Sequence, residues 1–381
     1  MSFYSGEYFF LVLILVLVGA LILGLLEKPM KWYNIAVSIL FIVLVLEGTP
    51  SALIYFCVYF LMELLLVKLY EQLRKKGRKL WIYRLFVFLT ILPLILCKLC
   101  ELNTFSQMGW FQFIGISYLT FRVVQIIIEI YDGVIESVSV TEFTGFLIFF
   151  PTFSCGPIDR SRRFESDFTK TYKRSEYLEL FGIGLEKMIW GLLYKFVLAE
   201  LGYKVMMLVT EPTLLNEIAY AYTYGIYMFF DFAGYSLMAV GTGYMLGIKV
   251  PDNFNKPFLS KDMKDFWARW HITLSEWFRD FIFTRFVMAS MKKKRFPTRL
   301  TTASVGFIIN MLVMGVWHGL GTCYILYGLY HGVLLALTEI YQKKSKFYKR
   351  NKKKKWYGVL SWAVTMNLVM FGFLIFSGHI I

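Results

Sequence analysis

The sequence predicts an all-α polytopic membrane protein, and three observations predict it. Hydrophobic residues fill 57% of the 381 positions and charged residues 18%, with a mean hydropathy of +0.56. Soluble domains run nearer half apolar and a quarter charged. Tyr8 to Leu26 holds no charge, and a run of that length can cross a hydrocarbon core of about 30 Å. Basic residues crowd into a few loops and are missing from others, as the positive-inside rule produces.

In chain order, the apolar runs place spans at 8–26, 32–47, 51–69, 80–100, 110–131, 178–209, 217–247, 303–319, 322–341 and 357–379. The first has no basic stretch before it and no Ala-x-Ala-like site after it, so it reads as a retained helix and not a cleaved signal. Between the spans, 71–79 carries Arg74, Lys75, Lys76, Arg78 and Lys79, and 158–174 carries Arg160, Arg162, Arg163, Lys170, Lys173 and Arg174. Lys292, Lys293, Lys294, Arg295 and Arg299 mark 292–299, and 343–355 holds nine Lys or Arg. The loops 101–109 and 211–216 hold none. Starting outside, every basic loop falls on the cytoplasmic side, and ten spans return the C-terminus to the outside. The expected protein has about 10–11 transmembrane helices in one membrane-embedded domain over 1–381. Its net charge of +15 then reflects topology and contact with anionic lipid rather than nucleic-acid binding.

Two segments do not fit the count. Residues 143–157 are apolar but short, and end in Ser-Cys-Gly-Pro. They read as a re-entrant segment, which needs protein or water to satisfy its backbone. In 265–291, Trp267, Trp270, His271, Leu274, Phe278 and Phe281 would form one apolar stripe on a continuous helix. Asp265, Arg269, Thr273, Glu276, Arg279 and Asp280 take the other side, which is the pattern of an interfacial helix.

The chain has four histidines, and two sit in similar frames, Arg269-Trp270-His271 and Val316-Trp317-His318-Gly319. Histidine takes and gives protons near neutral pH, and at membrane depth it is a functional candidate by default. Gly315 and Gly319 strip cover from His318, which would let a substrate approach the ring. His331 and His379 read as packing residues. Asp231 is an intramembrane carboxylate that fits either an orienting role or a structural ion pair. Cys97 and Cys100 form a C-x-x-C inside an apolar run with no further ligand nearby, so the thiols read as packed or lipid-facing. No nucleophile elbow, Walker loop, H-E-x-x-H or Gly-rich fingerprint is present. What remains is a general base without an enzyme nucleophile, suited to direct acyl transfer between two bound substrates.

Arg-Trp-His271 and Val-Trp-His318-Gly, taken with Asp231-Phe-Ala-Gly-Tyr-Ser236, Gly156-Pro-Ile-Asp-Arg160 and Lys256-Pro-Phe-Leu-Ser-Lys-Asp-Met-Lys-Asp-Phe-Trp267, resemble the membrane-bound O-acyltransferase family. The resemblance covers nearly the whole chain and is greatest to the branch that transfers D-alanyl groups. It implies a ring of helices around a thinned centre, with an outer funnel and an inner tunnel, in a bacterial plasma membrane. It implies a D-alanyl thioester on the phosphopantetheine arm of a cytoplasmic DltC-like carrier protein, with no cofactor bound by the chain itself and no metal. The acyl group would go toward teichoic acid, with extracellular-side Dlt partner proteins. His318 takes the family's catalytic position. His271 takes a second position, asparagine in some relatives, and is expected to support rather than transfer protons. Asp231, Gly315, Trp317 and Trp270 are assigned to the substrate tunnel.

An acidic carrier would need apolar contact and basic steering. Val287, Met288 and Met291 followed by Lys292, Lys293, Lys294 and Arg295 offer both, although the positive-inside rule alone also produces such a run. The span count sets His318 in the outer half of its helix and His271 near the inner face, so joint action requires a thinned centre or a tilted helix. Two other functions remain open. O-acetylation of an extracellular polysaccharide would use the same two histidine motifs. A transporter of an activated carrier would also suit buried His and Asp, but no inverted repeat supports it.

Overall fold

The computed structural model describes residues 1–102, 109–209 and 213–380. Apolar runs become helices, and glycine, proline and polar turns end them. In chain order the helices are α1 (Glu7–Leu25), α2 (Lys31–Leu46), α3 (Pro50–Lys75), α4 (Leu80–Leu99), α5 (Ile116–Asp132), α6 (Val140–Ile148), α7 (Ser161–Phe168), α8 (Arg174–Leu193) and α9 (Ala199–Met207). There follow α10 (Leu214–Met245), α11 (Met263–Trp267), α12 (Ile272–Phe278), α13 (Thr284–Lys292), α14 (Arg299–His318), α15 (Thr322–Lys344), α16 (Lys346–Asn351) and α17 (Lys355–Ser377). Among the described residues there is no strand, only an isolated bridge between Ser2 and Ser5. Six helices, α1, α3, α4, α14, α15 and α17, are long and apolar enough to cross a membrane by length and composition, and α2 is apolar but shorter. The loops without Lys or Arg, expected outside, fall partly on 103–108 and 210–212, which lie outside the described residues.

The backbone groups into two compact units, Met1–Leu192 with Tyr235–Pro251 and Leu193–Gly234 with Asp252–Ile381. The chain passes between them within α10 and near the end of α8. A third crossing falls at Pro251–Asp252, in the loop after α10.

In the first unit α5 is the buried centre, with nearly every residue from Leu119 to Ile130 shielded. Gly115 at φ 96° and Gly133 at φ 78° bound it, in a left-handed conformation that glycine adopts without a Cβ clash. Arg122 on α5 is 1% exposed. Its guanidinium donates to the carbonyls of Phe146, Leu147 and Thr152 and to the Thr152 hydroxyl. Ser38 Oγ accepts from Phe150 N, and Tyr4 Oη donates to Pro151 O. These bonds serve the segment expected to be re-entrant. It is a nine-residue helix, α6, and a 3-10 turn, too short to span, and buried protein groups satisfy its backbone as apolar surroundings require. Asp159 accepts from Arg163 Nε at 2.6 Å; burial pushes its carboxyl above the usual carboxylate range against the pull of that guanidinium.

In the second unit a π-helical turn, Tyr194–Leu198, interrupts the expected span 178–209. The residues of 265–291 do not form one continuous helix either. α11 stops at Trp267, α12 starts at Ile272, and a π turn over Arg279–Phe283 separates α12 from α13. The expected stripe is therefore split over three short helices. The break is held from outside: Asn253 O accepts from Ile272 N at 2.9 Å, and Asn253 Oδ1 accepts from Thr273 Oγ1 at 2.6 Å. Asn255 N donates to Arg269 O at 3.0 Å. Helices α14 and α15 pack closely through Gly315 and Gly328, where a Cβ on either glycine would collide with opposing backbone.

Candidate active site

His271 sits at the break between α11 and α12, at φ 44° and ψ 54°. A non-glycine residue in this region is uncommon, and such outliers cluster at functional sites. The ring is 4% exposed, and its Nε2 has no hydrogen-bond partner among the described residues. Phe232 of α10 meets it edge to face at 4.7 Å. His318 is the last residue of α14, with Gly319 N bonding back to Gly315 O at 3.3 Å. Its half-buried ring lies 5.1 Å from Phe376 and 6.3 Å from Tyr327.

These elements converge on one cavity of about 60 Å³ lined by both His271 and His318, with Trp267, Trp270, Phe232 and Tyr327 among its walls. The two histidines thus line one space, as joint action requires. His271 leaves the helical path at its left-handed turn, and α14 ends at His318, so both rings reach the same space. A second cavity, of about 300 Å³, is lined by Trp267, Ile272, Phe278, Phe307, Asn310 and Met314, with Lys264 and Arg279 also on its wall. Its surface is mainly apolar, with a few polar groups such as the buried Asn310 Oδ1, which has no partner among the described residues. A mainly apolar lining with a few polar groups is usual for a small-molecule or cofactor site.

Among the tunnel residues, Trp270 lines the histidine cavity and stacks on Phe266 at 5.6 Å. Trp317 lies beside His318 at 4.7 Å but is not on the cavity wall. Asp231 does not line it either. Its carboxylate accepts from Lys195 Nζ at 2.5 Å, and Lys195 projects from the π turn. Gly315 serves the α14–α15 crossing instead of opening a face to substrate. In the docking segment, Met288 and Met291 are exposed, as are Lys292 and Lys293. Val287 is half-buried, its Cγ2 in the space a Cβ on Gly306 would need. Beside α13 lies an open cleft lined by Met291, Lys294, Arg295, Phe296 and Arg299. His331 is fully buried among Tyr327, Tyr330 and Trp267, and His379 pairs with Glu217 at 3.3 Å.

Sequence reasoning missed Phe232, Tyr327 and Phe376 as cavity walls. No spacing in the sequence joins residues so far apart. Trp267 and Leu274 share the apolar stripe of His271 in the sequence, but the stripe alone did not mark them as cavity walls.

Comparison with known proteins shows the family. A model of the membrane-bound O-acyltransferase family (MBOAT) matches residues 37–378. The chain is 41% identical over 388 residues to a teichoic acid D-alanyltransferase of Bacillus subtilis, covering 99% of this chain and 98% of that protein. It is 40% identical over 395 residues to a protein of the same name from Streptococcus thermophilus, covering 99% and 95%. With a probable alginate O-acetylase AlgI of Pseudomonas syringae pv. tomato it shares 31% identity over 270 residues, 70% of this chain and 49% of the other. A helical chain with six membrane-length helices and two histidines on one cavity thus belongs to the membrane-bound O-acyltransferase family, as a multi-pass membrane acyltransferase.

Proposed function

We propose that this protein D-alanylates teichoic acid, drawing the D-alanyl group from a phosphopantetheine thioester on a small acidic carrier protein in the cytoplasm. The observation that carries the reading is the cavity shared by His271 and His318, with a larger, mainly apolar cavity of about 300 Å³ that also has Trp267 on its wall. Near full-length similarity to proteins named teichoic acid D-alanyltransferase supports the choice of acyl group and destination.

In this reading His318 is the general base. It takes the proton of an acceptor hydroxyl as the oxygen attacks the thioester carbonyl carbon. The tetrahedral intermediate then expels the pantetheine sulfur, and the imidazolium returns its proton to that sulfur, leaving an ester and a free thiol. His318 ends α14, where the negative end of the helix dipole faces any positive charge formed on its ring. His271 orients the substrates. The loops rich in Lys and Arg face the cytoplasm, both termini face outward, and the acyl group crosses the bacterial plasma membrane toward extracellular partner proteins and the teichoic acid acceptor.

The carrier docks at α13, with Met288 and Met291 as apolar contact and Lys292 to Arg295 as electrostatic steering. The mixed apolar and basic cleft beside α13 supports that placement. Purified protein in vesicles tests the reading. With equal amounts of carrier bearing D-alanyl or acetyl thioester, the expected result is loss of thioester from the D-alanyl form and formation of a D-alanyl ester. Preference for acetyl would favour polysaccharide O-acetylation, the function named for the AlgI relatives. Movement of loaded carrier with its thioester intact would instead mean transport without chemistry.

A further inference from the structure

The two cavities share a wall, and Trp267 is on both sides of it. The residue is 8% exposed, and its indole Nε1 has no hydrogen-bond partner among the described residues. Buried donors are normally paired, and an unpaired one in a native site calls for an explanation in terms of what it meets there. The histidine cavity supplies one. It is where a thioester carbonyl, arriving from the larger cavity, would lie within reach of an acceptor hydroxyl at His318.

We propose that the Trp267 indole N–H is a catalytic donor that holds the oxyanion formed on the thioester carbonyl during transfer. This rests on the thioester reading above. When the acceptor oxygen bonds to the carbonyl carbon, the π pair of the C=O moves onto oxygen, and the hydroxyl proton goes to His318. The indole N–H donates to that oxygen while it carries the charge. When the C=O re-forms, the C–S bond breaks, the sulfur takes the proton from His318, and the indole bond weakens again. The donor is neither consumed nor ionised. Such donors act best when fixed before the charge appears, and Trp267 is fixed. It meets His331 edge to face at 5.3 Å and Phe266 at 5.6 Å. Its helix is capped by Asp262, whose side chain accepts from Lys264 N and Asp265 N.

The test removes the N–H without changing the shape. Position 267 is replaced by phenylalanine and, separately, by benzothienylalanine, in which sulfur takes the place of the indole N–H. Steady-state transfer from D-alanyl-loaded carrier, carrier binding and thermal unfolding are measured for both, beside His318→Ala. The expected result is a fall in kcat of about 10²–10³-fold in the sulfur variant, with KM for loaded carrier within about threefold of the parent. Carrier affinity and unfolding temperature stay unchanged in that variant, which keeps the test valid even where Trp267→Phe folds poorly. A sulfur variant with kcat within about twofold of the parent overturns the proposal, as does a loss confined to KM or to thermal stability. The parent reading fails separately: transfer that survives His318→Ala refutes the general-base assignment, whatever Trp267 does.

Discussion

At the scale of single residues, the second histidine is held where few side chains rest. His271 at φ 44° is pinned by Asn253, which takes the two amides and the hydroxyl that follow it. Asparagine tolerates this region and keeps a donor and an acceptor, but it cannot act as a base. His271→Asn is therefore expected to keep much more activity than His318→Asn, measured as kcat on loaded carrier. Equal and complete loss would mean paired catalytic roles. Arg122 makes a stability prediction of another kind. Its removal in Arg122→Met leaves the carbonyls of Phe146, Leu147 and Thr152 without that donor. A loss of about 1–3 kcal/mol for each buried carbonyl left unsatisfied is expected, seen as a lower unfolding temperature in detergent. An unchanged unfolding temperature would contradict the account of how the short segment is held. The two histidines were legible in the sequence because histidine is rare in apolar runs. Arg122 was not, because an arginine in an apolar run signals a buried partner without naming it, and here the partners are backbone carbonyls 24 to 30 residues away.

At the scale of elements, apolar runs bounded by charge were legible as helices to within a few residues. The break at Ala268–His271 was not. Ala-Arg-Trp-His holds no glycine or proline, and the interruption is imposed by Asn253 from a separate loop. Gly315 was singled out in the sequence as leaving His318 uncovered, and in the structure it faces Tyr324 and Gly328 of α15. Gly315 and Gly328 let two helices approach closely, and sequence cannot tell a glycine that faces substrate from one that faces a neighbour. Gly315→Val is expected to separate α14 from α15, displacing His318 and lowering both unfolding temperature and kcat. Normal values for both would contradict that role. On α13, Met288 is 65% exposed while Val287 packs near Gly306, so Met288 is the informative position for docking. Met288→Asp should weaken carrier affinity about tenfold or more. Lys292→Glu with Lys293→Glu should mainly slow association and flatten its salt dependence. Unchanged affinity in Met288→Asp would move docking elsewhere.

At the scale of the whole molecule, the charge asymmetry of the loops predicts orientation. In a chain whose five native cysteines are replaced, Ser2→Cys and Ile380→Cys should react with an impermeant maleimide on intact cells. Lys76→Cys and Lys353→Cys should react only after permeabilisation. The reverse pattern would invert the proposed path of the acyl group. The division into two units was hard to read from sequence because two of its three crossings fall inside helices, at 192/193 and 234/235. The central claim concerns what the molecule does with its cavity, that His318 takes the acceptor's proton. It is tested most directly by purified His318→Ala protein, shown to be folded and membrane-inserted, given carrier loaded with labelled D-alanine and the acceptor. General-base catalysis contributes about 10²–10⁴-fold, so transfer of label should fall by at least the lower figure while carrier binding is unchanged. Transfer at near the parent rate would contradict the account.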